Sequence, residues 1–330
     1  MASIIKTEDL TKVYNGRVKA LDKLNIEIEK GEIYGLLGPN GAGKTTTINL
    51  LVTRIYPTSG TAIVNGFDIR KNSLDIRRTI GVVPQDLTTD EDLTGIENLK
   101  LVSRFYDVPQ AEAEERINRL ISMVNLDDAK DRLVRQYSGG MRKRLELIAG
   151  LVNDPEILFL DEPTLGLDVT TRNHMWQYVK EIQEKLDVTI ILTSHYLEEV
   201  DALSDRISII DHGKVMATGT SEELKSNLRG DVIQVTVKSE NDVEKVMAFP
   251  ESVDSKLTEP NTVRLKVSNS DEELPKLISY INANSIQITK LSVQKPSLDD
   301  VFLEITGKDI RKEDPADYRQ VMFNMRRLRR

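Results

Sequence analysis

Short apolar runs, each about the length of one strand, recur along the chain with longer helix-period stretches between several of them. Residues 33–37, 80–83, 157–160, 189–192 and 207–210 are rich in Ile, Leu and Val and carry few polar positions. Runs without a polar alternate predict strands buried on both faces. Residues 112–124 are instead rich in strong helix formers, and Ile117, Leu120, Ile121 and Val124 fall on one helical stripe. Met141, Leu145, Ile148 and Val152 repeat that spacing, with Arg142, Lys143 and Arg144 on another face. Strands interleaved with helices predict an α/β core around a largely parallel sheet.

Different patterns flank this core. Residues 4–13 and 18–28 read as two strands joined at Asn15-Gly16, a hairpin signal, and Leu24, Ile26 and Ile28 alternate with Asn25, Glu27 and Glu29. Past Leu228-Arg229-Gly230 the texture changes. Residues 232–237 alternate as a strand, 242–247 suit a short helix, and 253–257 and 262–267 suit two further strands. Ser270 to Glu273 fits a capping box that opens a helix with Leu274, Leu277, Ile278 and Ile281 inward, and 286–293 reads as a last strand. The order β-α-β-β-α-β predicts a small ferredoxin-like α+β domain. The division expected is residues 1–228, residues 229–306 and a basic tail at 307–330.

Ligands of parallel sheets sit at the carboxyl ends of the strands, so the residue after each run is informative. Run 33–37 leads into Gly38, 80–83 past Pro84 to Gln85, 157–160 to Asp161-Glu162, and 189–192 to His195. Gly38-Pro39-Asn40-Gly41-Ala42-Gly43-Lys44-Thr45-Thr46 fits G-x-x-x-x-G-K-[ST] between a strand and a helix expected over 46–52. Glycines let backbone N–H groups wrap a phosphate at the helix start; Lys44 reaches the β- and γ-phosphates and the Thr45 hydroxyl binds Mg²⁺. Asp161 suits the same metal, and Glu162 suits proton acceptance from the attacking water. Ser138 is a natural N-cap, and Gly139 and Gly140 behind it expose N–H groups, a second anion site in one chain. Tyr14 beside the hairpin turn reads equally as a strand-end aromatic or as a platform for an adenine ring.

Composition narrows the classes. The chain has 330 residues, enough for two domains, and a net charge of −8, which disfavours nucleic acid as a partner. It has no cysteine and three histidines, which excludes disulfides and thiolate chemistry and leaves little for a histidine-rich metal site. The first residues lack a signal-like apolar core, and no run approaches a membrane span, so the expected location is cytoplasmic, with any spanning part on another chain.

Residues 1 to about 225 resemble the ATP-binding subunit of an ABC transporter. The Tyr14 neighbourhood resembles the family's A-loop, Gly38 to Thr46 its Walker A motif, and Gln85 its Q-loop. Ser138-Gly139-Gly140-Met141 stands at the signature, Asp161-Glu162 ends Walker B, Gly166-Leu167-Asp168 matches the D-loop, and His195 the switch histidine. Met141 replaces the Gln of many members, a subfamily trait. The resemblance implies a P-loop NTPase (RecA-like) core with an antiparallel β subdomain and a helical insertion at about 86–136. It also implies ATP and Mg²⁺ as cofactors, with Thr45, Gln85 and Asp161 around the metal, Glu162 as base, and Lys44, Gln85 and His195 assisting. Two subunits, alike or paralogous, would sandwich two ATP molecules head to tail, each held by Gly38 to Thr46 of one and Ser138 to Met141 of the other, with Asp168 near the seam. A separate membrane-spanning permease would hold the pair at the cytoplasmic face. His174 and His212 are expected to be solvated bystanders. Residues 296–304 resemble the closing segment of drug-resistance exporter ATPases such as those for daunorubicin. The arginine-rich end (Arg326, Arg327, Arg329, Arg330) suits a solvated tail, or contact with anionic lipid or an acidic partner surface. The rival reading is a soluble ABC-type ATPase acting on nucleic acid or ribosomes, opposed by the acidic charge, the single nucleotide core and the lack of a long coiled-coil insertion. Cargo stays open.

Overall fold

Left-handed backbone at Asp9 and Lys23 decides how the first strands pair. The computed structural model describes residues 3–226 and 230–307, which fall into two units, one ending at Ser221 and one beginning at Glu222. In the first, β1 (Ser3–Tyr14) turns at Asn15-Gly16 into β2 (Val18–Leu24). Both turn residues have positive φ, 50° and 68°, and the Arg17 N–H closes on the Tyr14 carbonyl at 3.1 Å. This is the tight hairpin that Asn-Gly favours. The single strand expected over 18–28 is broken. Asn25 Oδ1 accepts the Asp9 N–H at 2.9 Å, and its Nδ2 donates to the Lys23 carbonyl at 2.9 Å, so one side chain ties the two kinks. β3 (Glu27–Glu29) therefore pairs with the first half of β1, and β2 with the second half. After β4 (Ile33–Leu37) and α1 (Lys44–Leu51), β5 (Ser59–Val64) and β6 (Phe67–Asp68) complete this sheet in the order β2-β1-β5-β6.

The chain then passes through α2 (Ser73–Thr79) into β7 (Ile80–Val83) and the helical insertion. α3 (Gly95–Phe105) starts at a reciprocal cap in which Thr94 Oγ1 accepts the Glu97 N–H while the Glu97 carboxylate accepts the Thr94 N–H. α4 (Gln110–Met123) buries Ile117, Leu120 and Ile121 as its stripe predicts, with Val124 at its end. α5 (Gly139–Ala149) returns the chain to β8 (Ile157–Asp161), α6 (Val169–Leu186), β9 (Thr189–Ser194), α7 (Leu197–Leu203), β10 (Arg206–Asp211) and β11 (Lys214–Gly219). The central sheet runs β11-β10-β4-β9-β8-β7, parallel except for β11. Every residue of β4, β8 and β9 is buried, which explains their unbroken apolar character. Because β4, β9, β8 and β7 are successive neighbours, their carboxyl ends form one rim carrying Gly38, His195, Asp161-Glu162 and Gln85.

The second unit contains α8 (from Ser221–Ser226), then β12 (Asp231–Val237), α9 (Val243–Met247), β13 (Asp254–Glu259), β14 (Thr262–Val267), α10 (Ser270–Ala283), β15 (Ile288–Gln294) and α11 (Leu298–Thr306). Its sheet is antiparallel throughout, in the order β13-β14-β12-β15. Ile233, Val235, Val263, Leu265, Leu277 and Ile281 belong to its core. Two expectations shift here. The cap of α10 is Asn269, whose side chain accepts the Asp271 N–H at 3.0 Å, while Ser270 is already helical and buried. Ile278 is 45% exposed, not inward, because Leu277 and Ile281 take the buried side. The boundary expected at 228 and the basic tail beyond 307 lie outside the described residues.

Candidate active site

Gly43 sits at φ 113° at the start of α1, and a Cβ there would come within 2.6 Å of Leu21 Cδ2 and 2.8 Å of the Ala20 carbonyl oxygen. Only glycine fits that turn. Among the described residues no side chain caps α1, so its first N–H groups present the arrangement that an anion satisfies. Lys44, 5% exposed, folds back to donate to the Gly38 carbonyl at 2.7 Å and the Pro39 carbonyl at 3.3 Å. Thr45 Oγ1 donates to Asp161 Oδ1 at 3.2 Å, and Thr46 follows within α1.

Side chains at the ends of two neighbouring strands, β8 and β9, converge on this loop. Asp161 Oδ1 also accepts from Thr193 Oγ1 at 2.6 Å. Burial pushes the Asp161 carboxyl above its ordinary range despite the hydrogen bonds from Thr193 and Thr45. Glu162 stands in left-handed backbone (φ 51°), held because its N–H donates both to the Thr193 carbonyl and to Thr193 Oγ1 at 3.1 Å. Its carboxylate lies between Lys44 Nζ, 3.5 Å from Oε1, and His195 Nδ1, 3.0 Å from Oε2. Burial pushes this carboxyl up, but the His195 hydrogen bond and the Lys44 charge outweigh it and hold the group below its ordinary range. Lys44, Asp161, Glu162 and His195 thus form one cluster, built from the start of α1 and the neighbouring ends of β8 and β9. Among the described residues no group of three or more His, Asp or Glu is placed to hold a metal ion alone. One buried carboxylate with one hydroxyl suits a magnesium ion that would take its other ligands from phosphate oxygens and water.

Ser138 to Met141 and Asp168 are brought together elsewhere. Ser138 caps α5, its Oγ accepting the Met141 N–H at 3.3 Å. Asp168 caps α6, its carboxylate accepting the Thr171 N–H at 3.0 Å and hydroxyl at 2.7 Å, bonds that hold it below the usual carboxylate range. Ser138, Gly139, Gly140, Gly166, Leu167 and Asp168 line a cavity of about 340 Å³ that includes no residue of the phosphate loop or its carboxylates. His174, expected as a bystander, borders the same cavity because one turn of α6 carries it beside Thr171. His212 is solvated as expected, its side chain 82% exposed. Tyr14 ends β1 with Lys12 Nζ 5.2 Å from its ring centroid, so a cation already lies near the ring.

Several functional partners carry no sequence signal. Thr193, which bridges Asp161 and Glu162, reads only as the last branched residue of a strand. Glu199 is fully buried on α7, where Oε1 accepts from Thr164 Oγ1 at 2.8 Å and from Nε1 of the sole tryptophan, Trp176, at 3.1 Å. Lys143, assigned to a polar face, is buried and donates to the Gln85 carbonyl at 3.1 Å; burial lowers its pKa. Gln85 itself is half-buried two residues past β7, beside the strand that ends in Asp161.

The chain matches the ABC transporter family over residues 21–165 and the C-terminal domain of DrrA1-3-like ATP-binding proteins over residues 219–306. The daunorubicin/doxorubicin resistance ATP-binding protein of Streptomyces peucetius is 40% identical over 319 residues, covering 96% of this chain and 94% of that one. The linearmycin resistance ATP-binding protein of Bacillus subtilis (strain 168) is 37% identical over 319 residues, covering 93% and 100%. A solved dimeric ATP-binding cassette in a post-hydrolysis state, bound to ADP and Pi, has a TM-score of 0.60 at 27% identity, covering 66% of this chain and 98% of that one. With near-complete overlap with these relatives and a cassette fold beneath the motifs, the chain belongs to the ABC transporter family as an ATP-binding subunit.

Proposed function

We propose that this subunit hydrolyses ATP as one half of a dimer and drives a separate membrane-spanning partner that exports amphipathic, drug-like molecules. The observation that carries the reading is the Lys44–Glu162–His195 cluster beside Asp161. ATP docks its phosphates on the uncapped start of α1. Lys44 gives up the Gly38 and Pro39 carbonyls for the β- and γ-phosphates, and Tyr14 stacks on the adenine. Thr45, Asp161 and Gln85 would hold Mg²⁺, which would supply charge neutralisation on the phosphates. Glu162 takes the proton of the attacking water as the bond from the γ-phosphorus to the bridging oxygen breaks. His195 hydrogen-bonds the γ-phosphate. Once Lys44 turns to the phosphates, Glu162 loses part of what holds its pKa down, so it becomes a stronger base at the moment it is needed.

Gly139 supports a second subunit. A Cβ at Gly139 would meet nothing within 4 Å, so nothing inside this subunit demands glycine there. An anion approaching from outside supplies that demand, and a nucleotide on a partner's loop is such an anion. Asp168, on the same cavity, then lies at the seam.

No helix among the described residues is long and apolar enough to cross a membrane. A docking surface for a spanning partner is offered by α3, where Leu101 (39% exposed) and Phe105 (77% exposed) stand one turn apart. The named relatives confer resistance to daunorubicin, doxorubicin and linearmycin, and export of comparable molecules is extended to this chain from them. The test is ATP-driven movement of daunorubicin across vesicles containing the full chain and its cognate membrane subunit. Movement lost with Glu162→Gln supports the reading; movement unchanged by that substitution overturns it.

A further inference from the structure

Beyond the residues with assigned roles, α5 carries two buried charged side chains on the face opposite its apolar stripe. Glu146, 3% exposed, accepts three hydrogen bonds from one short segment: the Thr88 N–H at 2.6 Å and the Thr89 N–H at 2.7 Å on Oε1, and the Thr88 hydroxyl at 2.8 Å on Oε2. Lys143, three residues earlier, donates to the Gln85 carbonyl at 3.1 Å. An Arg142–Glu91 ion pair adds a third tie from the same helix, two residues past that segment. Residues 85–89 link β7 to the insertion, and Gly139 and Gly140 open α5 one to two turns before Lys143 and Glu146. A helix rises about 1.5 Å per residue, so these ties lie within roughly 10 Å of the glycine pair along a rigid rod.

A buried carboxylate filled by two consecutive backbone N–H groups is more than a solvated helix face requires. Its loss would leave three donors without their acceptor in a site largely closed to water. We infer that Glu146, with Lys143, is a positioning residue that fastens the Gln85 segment to the signature helix, so the two move as one body. A shift of Gln85 toward the Mg²⁺ and γ-phosphate of its own ATP then carries Ser138, Gly139 and Gly140 toward the partner's nucleotide. Each subunit thereby reports the filling of its own loop to the other subunit's site. This rests on the roles proposed above for Gln85 and the signature.

The test compares Glu146→Ala, Glu146→Gln, Lys143→Met and Gln85→Ala in the full chain. Equilibrium ATP binding, turnover, its Hill coefficient and the melting temperature are measured on each. A glutamine oxygen can accept the same two N–H groups, so Glu146→Gln should keep most turnover and cooperativity. Glu146→Ala should bind ATP as before but lose turnover on the order of ten-fold, the scale of a small misplacement remote from the chemistry, with the Hill coefficient falling toward one. Adding Gln85→Ala to Glu146→Ala should cost little more, since both act through one segment. Lys143→Met keeps the stem and should show a milder version of the same split, readable even if Glu146→Ala fails to fold. Wild-type turnover and Hill coefficient in folded Glu146→Ala or in Lys143→Met, or equal loss in Glu146→Gln and Glu146→Ala, overturns the inference. If Gln85→Ala alone leaves turnover unchanged, the role proposed for Gln85 falls, a different failure.

Discussion

The two helices of the ATP-binding unit that carry the expected phosphate contacts both start at a glycine, and they start differently. α1 starts at Gly43 with a φ that only glycine accepts readily, a neighbour where a Cβ would sit, and no side-chain cap. α5 starts after Ser138, is capped, and opens with Gly139, whose surroundings would admit a methyl group. The first glycine is demanded by the fold; the second is demanded by nothing within the subunit. On the function proposed above, the difference separates what one copy would do by itself, which is to cradle a triphosphate, from what would need a second copy.

The largest effect expected from breaking this pair falls on neither helix. Glu162→Gln should leave both starts intact, bind ATP, and lose turnover by about 10²–10⁴-fold, the usual reach of a general base. It should also accumulate as a dimer with ATP, seen by light scattering; a dimer population no greater than that of the unsubstituted chain would separate closure from the γ-phosphate. Next, Gly43→Ala should cost stability by more than about 1 kcal/mol because of its positive φ and crowding, and should abolish ATP binding. Gly139→Ala should do the reverse. Its stability should hold or rise, by up to ~1 kcal/mol of helix propensity, while turnover falls and binding to the loop survives. If both variants behave alike in melting and binding assays, the contrast drawn here is wrong.

Thr193→Val sharpens the α1 side of the comparison. It removes a hydrogen bond to Asp161 and one to the Glu162 N–H while keeping shape, and should cost about 1–3 kcal/mol in denaturant unfolding. The smallest effect is electrostatic. Burial raises the Glu199 carboxyl above its ordinary range, so its ionised form costs the fold stability at every pH above the folded pKa, and the cost vanishes as pH falls below the unfolded value. Glu199→Gln should therefore raise the melting temperature by roughly a few degrees near neutrality, with the gain lost on acidification through the carboxylate range. A gain that persists in acid would point to packing instead of charge.

Much of this is legible in the amino-acid sequence, for definable reasons. A phosphate loop needs glycine at fixed offsets, and strands buried on both faces must end in the sheet's rim, so Gly38 to Thr46, Asp161, Glu162 and His195 declare themselves. The reciprocal caps and side-chain bridges do not. Lys143 looks like part of a charged face, and Glu146 carries no signal of its own, until the segment after β7 is packed over them. Thr193 and Glu199 depend on which strand and helix lie next to Asp161 and Thr164, a fact of topology with no local pattern. The break between β2 and β3 was hidden because Leu24, Ile26 and Ile28 are all buried on either side of it. The cap of α10 falls at Asn269, one residue before the expected Ser270, because both carry good capping side chains. His174 reached the signature cavity only through the pitch of α6.

The central claim is that the loop at α1 is half of a catalytic site and the start of α5 on another copy is the rest. Turnover per subunit, measured across a protein dilution series alongside the fraction of dimer with ATP, tests it most directly. The account predicts that turnover per subunit falls with the dimer on dilution while ATP binding persists. Constant turnover per subunit at concentrations where the chain is monomeric would contradict it.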